Sequence, residues 1–127
     1  MGNPEHRQLV DRYLAAYNGF DVDGMLAVLS PDIRFENYSG GRLTAAASGI
    51  DEFRRLAEQA VALFSEREQR ITGLALHPDS AVADIAYRGR LAVDLPDGPA
   101  AGTLIELQGR SEFSFVGGKI GRIVDRS

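Results

Sequence analysis

Two long segments in the second half of this chain alternate between a mainly apolar and a mainly charged set of side chains. In the first, Ala83, Ile85 and Tyr87 fall on one face and Asp84, Arg88 and Arg90 on the other. In the second, Ser111, Phe113 and Phe115 oppose Arg110, Glu112 and Ser114. Extended backbone turns successive side chains to opposite faces, so each segment is a strand with one face that must be covered. Turn sequences divide the region into strands from Ala81 to Leu95, Thr103 to Val116 and Lys119 to Asp125, joined at Pro96-Asp97-Gly98-Pro99 and Gly117-Gly118. A weaker strand runs from Arg67 to Leu76, broken by Gly73 and closed by His77-Pro78-Asp79. A bulge between Gly109 and Ser111 would invert the facing of everything beyond it.

The cover has to come from the N-terminal half. Asn3 before Pro4 is a helix-start signal, and Leu9, Val10, Tyr13, Leu14 and Tyr17 then share one face until Asn18-Gly19. Asp21 can cap a short second helix carrying Val22, Met25, Leu26 and Leu29, ended by Ser30-Pro31-Asp32. Ile33, Phe35 and Asn37 alternate with Arg34, Glu36 and Tyr38 as a first strand, and residues 39–47 read as a mobile connection. Ser48 and Asp51 have capping-box spacing before a third helix whose stripe is Ile50, Phe53, Leu56, Ala57, Ala60, Val61 and Phe64. Helices first and a meander of strands second define an α+β domain, with helices on one face of a mainly antiparallel sheet. One domain spans residues 1–127, since no linker, repeat or low-complexity tract divides them.

Several classes of function are excluded by what the chain lacks. With no cysteine, it has no disulfide, no thiolate chemistry and no cysteine-held metal. Its net charge of −4 argues against nucleic acid as a partner. No apolar run approaches the ~18 residues of a membrane span, and the first residues lack the basic and apolar regions of a signal peptide, so the expected location is cytoplasmic. His6 and His77 stand in no ligand-spaced cluster, and no metal site is expected. Asp21-Val22-Asp23-Gly24 has its glycine misplaced for a calcium loop, and Gly117-Gly118-Lys119 lacks the strand–loop–helix setting of a phosphate cradle. No Gly-x-Ser-x-Gly elbow supports a serine hydrolase.

Longer stretches carry a resemblance. Pro4-Glu5-His6, Arg12 to Asn18, Asp21 to Met25 and Pro31-Asp32-Ile33-Arg34-Phe35-Glu36 are similar to the N-terminal half of bacterial ketosteroid isomerases and the nuclear transport factor 2-like superfamily. The run Glu112 to Ile120 resembles that superfamily's closing hairpin, and the hairpin around Pro96-Asp97-Gly98-Pro99 looks more like its SnoaL-like polyketide-cyclase branch. The resemblance implies a cone: a strongly curved sheet wraps the helices and encloses an apolar pocket. It also implies a homodimer through the outer sheet face. Phe35, Tyr87, Phe113, Phe115 and Ile123 would line the pocket, with Tyr17 and Ser111 beside them.

Ketosteroid isomerases combine a carboxylate base on the first strand with a tyrosine and a protonated aspartic acid as oxyanion donors. Carried over by position, the tyrosine matches Tyr13, the base Asn37 and the acid Ser111. Asparagine cannot accept a substrate proton at neutral pH, so the usual isomerase mechanism is not expected. Polyketide-cyclase relatives place an acid/base aspartate in the cavity, and Asp125 is the nearest match, sharing a strand face with Gly121 and Ile123. The expected function is binding of a small hydrophobic, polycyclic or ketone-like molecule, with cofactor-independent proton transfer beside a carbonyl. Asp125 would act as acid/base, and Tyr13 and Asn37 as donors to the developing enolate. A non-catalytic binding or association module of the same fold is the alternative. Epoxide hydrolysis, which in cone-fold relatives needs a buried Asp–Arg–Asp cluster, ranks last because the available arginines are expected on the outer face.

Overall fold

The computed structural model describes residues 4–127; Asn3, the expected cap of the first helix, lies outside them. The elements run α1 (Pro4–Asn18), α2 (Val22–Ala27), β1 (Leu29–Ser39), β2 (Arg42–Ser48), α3 (Ile50–Leu63), β3 (Phe64–Leu76), β4 (Ser80–Leu91), β5 (Leu104–Val116) and β6 (Lys119–Arg126). The six strands form one sheet in the order β2-β1-β6-β5-β4-β3. All neighbours are antiparallel except β1 and β6, the second and third strands from the β2 edge, which run parallel. The three helices cover one face, so the fold is α+β as expected.

The alternation in β4 and β5 holds throughout. Ala81, Ala83, Ile85, Phe113 and Phe115 are buried under the helices, while Asp84, Arg88 and Arg110 are exposed on the far face. No shift of pairing occurs between Gly109 and Ser111; the irregularity in β5 falls at Ser114/Phe115. The outer face is laced with exposed ion pairs, Arg110–Asp84, Arg126–Glu112, Arg122–Glu36 and Arg90–Glu66. Such pairs are individually weak and keep a sheet face solvated.

Several boundaries differ from the sequence reading. Residues 42–48, expected within a mobile connection, pair with β1 as a hairpin. Gly40 and Gly41 make its two-residue turn with φ of 59° and 77°, a conformation that L side chains adopt at a cost. The signal is faint because Ala45, Ala46 and Ala47 have little strand preference; the pairing itself holds the strand. Helix α2 stops at Ala27, and Leu29 already belongs to β1, paired with Ile120. Pro31 therefore sits within a strand, at the irregularity between Leu29 and Arg34 where its missing N–H is tolerated. Asp21 does cap α2, accepting from the Gly24 amide at 2.9 Å.

Helix α3 is capped by Gly49, not by Ser48; the Ser48 amide instead donates to Glu52 Oε1 at 2.9 Å. Phe64 leaves the α3 stripe and opens β3, where its ring meets Tyr87 edge-on at 6.1 Å. Strand β4 ends at Leu91 rather than Leu95, because the Leu91 amide turns to the Thr103 carbonyl and closes the loop early.

Candidate functional site

Sheet register assembles the centre of the site. Asn37 of β1 lies beside Asp125 of β6, and Asp125 lies opposite Ser111 of β5. Ala45 of β2 and Ala83 of β4 extend the same row on either side. Residues far apart in the chain thus form one line across the inner face. Ala45, small enough to leave room, lines the inner cavity, whereas Ala83 is fully buried.

Asp125 is the acidic member of that row. Ser111 Oγ donates to Asp125 Oδ1 at 2.6 Å, and Ser111 itself is buried. Asp125 keeps partial access through the cavity, but its carboxyl is ringed by protein. Burial pushes this carboxyl up from its ordinary value to about 6, against a smaller opposing pull from the Ser111 hydrogen bond. Asn37 donates from Nδ2 to Thr44 Oγ1 at 2.7 Å, and Thr44 returns a bond to the Asn37 carbonyl at 3.1 Å.

Two cavities meet at this row. The inner one, about 220 Å³, is mainly apolar and lined by Tyr13, Tyr17, Phe35, Phe53, Leu56 and Arg67 among others. The outer one, about 660 Å³, is lined by Leu63, Ile85, Tyr87, Leu95, Ser111 and Arg126 among others. Tyr17, Asn37, Gln69 and Asp125 line both. Asp125 has the sole acidic side chain on either wall among the described residues.

The tyrosines descend from α1 at helical spacing. Tyr13 is buried edge-on to both Phe53 and Phe113, and burial raises its hydroxyl well above the ordinary value. Asp125 and Tyr17 add to that rise, and Arg67 opposes it. Tyr17 OH donates to Tyr87 OH at 3.3 Å, and burial raises both groups. All three phenols therefore stay protonated as hydrogen-bond donors.

Three expected lining residues are elsewhere. Phe113 and Ile123 are fully buried, Phe115 nearly so, and none reaches either cavity. The N-terminal two-thirds of α1 seals that end of the sheet, with Tyr13 over Phe113 and the His6 ring stacked on Phe115 at 4.1 Å. The helix borders these two cavities only at Tyr13 and Tyr17. Tyr13, Tyr17, Phe35, Asn37, Tyr87, Ser111 and Asp125 do line one or both cavities.

Arg67 is the residue that the sequence reading missed. Like the other arginines it is expected on the outer face, yet it is only 6% exposed and lines the inner cavity. Its Nε donates to the Tyr17 carbonyl at 2.9 Å, at the C-terminal end of α1 where the helix dipole favours a cation. Its guanidinium lies 3.7 Å from the Tyr17 ring centroid and 4.8 Å from that of Phe20. Beside it, Asn18 clamps the free edge of β3, accepting from the Gln69 amide at 2.7 Å and donating to the Gln69 carbonyl at 3.1 Å. A usable signal existed. Arg67 and Gln69 share parity with Ile71, whereas Glu66, Glu68 and Arg70 take the other.

A six-stranded mixed sheet covered on one face by three helices is the nuclear transport factor 2-like architecture. Residues 10–123 match the SnoaL-like domain family, and the chain belongs to that family. Among solved structures, a candidate polyketide cyclase from Xanthomonas campestris superposes with a TM-score of 0.83 at 20% identity, covering 98% of this chain and 90% of that one. TsrD from Streptomyces laurentii gives a TM-score of 0.80 at 23% identity, with 98% and 89% covered. A protein of ketosteroid isomerase-like fold from Catenulispora acidiphila, in complex with trimethylamine, gives 0.76 at 16% identity, with 92% and 82% covered. No curated protein matches the chain in sequence. Among the described residues, no helix is long and apolar enough to cross a membrane.

Proposed function

We infer that this protein binds a small hydrophobic, ketone-like molecule in the paired cavities and moves a proton next to its carbonyl without a cofactor, as an isomerase or cyclase. One observation carries this reading: Asp125, at the junction of the cavities, is a buried carboxyl held at about 6. Near neutral pH such a group ionises enough to take a proton and remains basic enough to hold it. Tyr13 and the amide of Asn37 supply donors for the oxygen on which enolate charge develops. Two copies would pair through the outer face of the sheet.

The test uses 2-tetralone in deuterated buffer, with loss of its α-proton signals followed by NMR. Exchange should run faster with the protein than without it, and Asp125→Asn should lose most of the acceleration, about 10²–10⁴-fold. Equal rates for the two proteins would refute the acid/base role. Binding of the ketone with no exchange in either protein would favour the non-catalytic module, a reading supported by the amide that Asn37 puts in place of the isomerase base. Epoxide hydrolysis is disfavoured on new grounds. Arg67 is buried after all, but a second acidic side chain to complete its cluster lines neither cavity among the described residues.

A further inference from the structure

Arg67 carries more than its place at the end of α1 explains. The helix end accounts for Nε, which bonds the Tyr17 carbonyl, and the ring faces of Tyr17 and Phe20 account for the flat of the guanidinium. Its Nη2 is buried with no hydrogen-bond partner, and Nη1 makes no hydrogen bond among the described residues either. Among the described residues, Arg67 forms no ion pair: the six salt bridges use Arg7, Arg54, Arg90, Arg110, Arg122 and Arg126, all substantially exposed. Its sequence neighbours Glu66 and Glu68 turn to the opposite side of β3 and are exposed. A guanidinium never loses its charge in a protein, and leaving one of its donors buried and unpaired is costly. A ligand that satisfies this nitrogen removes that cost.

We propose that the inner cavity takes an apolar molecule bearing a carboxylate, which pairs with the free end of the Arg67 guanidinium. The proposal rests on the reading of the cavities as a ligand site and adds the chemical class of what enters. A carboxylate matches the free end of one guanidinium with two parallel bonds, whereas a phosphate would need a larger set of donors around it. The placement also orients the ligand. Of the two joined cavities Arg67 lines the inner one alone while Asp125 lines both, so the acid end lies inward and any reacting carbonyl sits at the junction. The reverse orientation would bring a second negative group against Asp125.

The experiment compares 2-naphthoate with its neutral counterpart, methyl 2-naphthyl ketone, by isothermal titration calorimetry at pH 8. The naphthoate should bind the unaltered protein at least about 10-fold more tightly, the usual gain from a charge-assisted bond at a buried site. Arg67→Met keeps the apolar stem and should erase the preference, lowering naphthoate affinity about 10–100-fold; Arg67→Lys should retain part of it. If Arg67→Met does not fold, the unaltered protein still decides, because equal affinities or tighter binding of the ketone would overturn the proposal. Binding of the ketone alone overturns the carboxylate and leaves the ligand site standing. Binding of neither compound overturns both.

Discussion

Replacing Asp125 by asparagine should stabilise the protein at neutral pH while removing its acid/base group. The amide has the shape of the carboxyl, and its oxygen can still accept the 2.6 Å hydrogen bond from Ser111. What disappears is the cost of a buried charge. The folded protein holds this carboxyl at about 6 against an ordinary 3.8, so between those values the folded chain keeps a proton that the unfolded chain has released. Stability from that proton is fully present below pH 3.8 and is lost as pH rises through 6. The slope is about −1.4 kcal/mol per pH unit, and the total across the window is about 3 kcal/mol. The partial solvent access of Asp125 makes that an upper figure. Urea unfolding of both proteins at half-unit steps from pH 3.5 to 7.5 isolates the effect, because other carboxylates titrate alike and cancel in the difference. The stability of Asp125→Asn relative to the parent should climb through the window and level off above it. A flat difference would show that Asp125 titrates normally, and the case for a tuned proton carrier would fall with it.

Three further outcomes are expected. Asn18→Ala should cost about 1–3 kcal/mol and speed hydrogen exchange at the Gln69 amide, since it strips two bonds from the edge of β3; unchanged exchange there would show that the clamp is dispensable. Gly109→Ala should cost about 1–3 kcal/mol in denaturant melts, because the new Cβ would lie 2.7 Å from the Arg126 carbonyl oxygen, a backbone atom that cannot swing aside. Asn37→Asp should raise isomerisation of a 3-oxo-Δ5 steroid above the slow rate expected of the parent, as measured by steady-state absorbance. It should also drive the Asp125 carboxyl further up, because two neighbouring carboxylates resist ionising together.

Local pattern was enough for much of this protein. The period-two alternation of Ala83, Ile85 and Tyr87, and of Ser111, Phe113 and Phe115, specified which sheet face is buried. The helical spacing from Leu9 to Tyr17 specified what covers it. These are properties of a few consecutive residues, so a reader of the chain can recover them. The hairpin of β2 was hidden because its alanine-rich residues carry weak preference, and pairing with β1 supplies what the local sequence lacks.

The site was legible only in part, for the same reason. Asp125 could be directed inward by alternation, but its neighbours Asn37 and Ser111 are set beside it by strand register, which pairs residues distant in sequence. Phe113, Phe115 and Ile123 have the apolar character of cavity walls, and only the path of α1 across the sheet made them core instead. Arg67 shows the difference most sharply. Its charge argued for solvent, because burying a guanidinium is costly in isolation. The end of α1 and the faces of two aromatic rings offset that cost, and all three arrive only when helix and sheet come together. Residue type and period thus determined the layers and the face of each strand, whereas the cavity and the charge within it depend on contacts between segments that no local pattern contains.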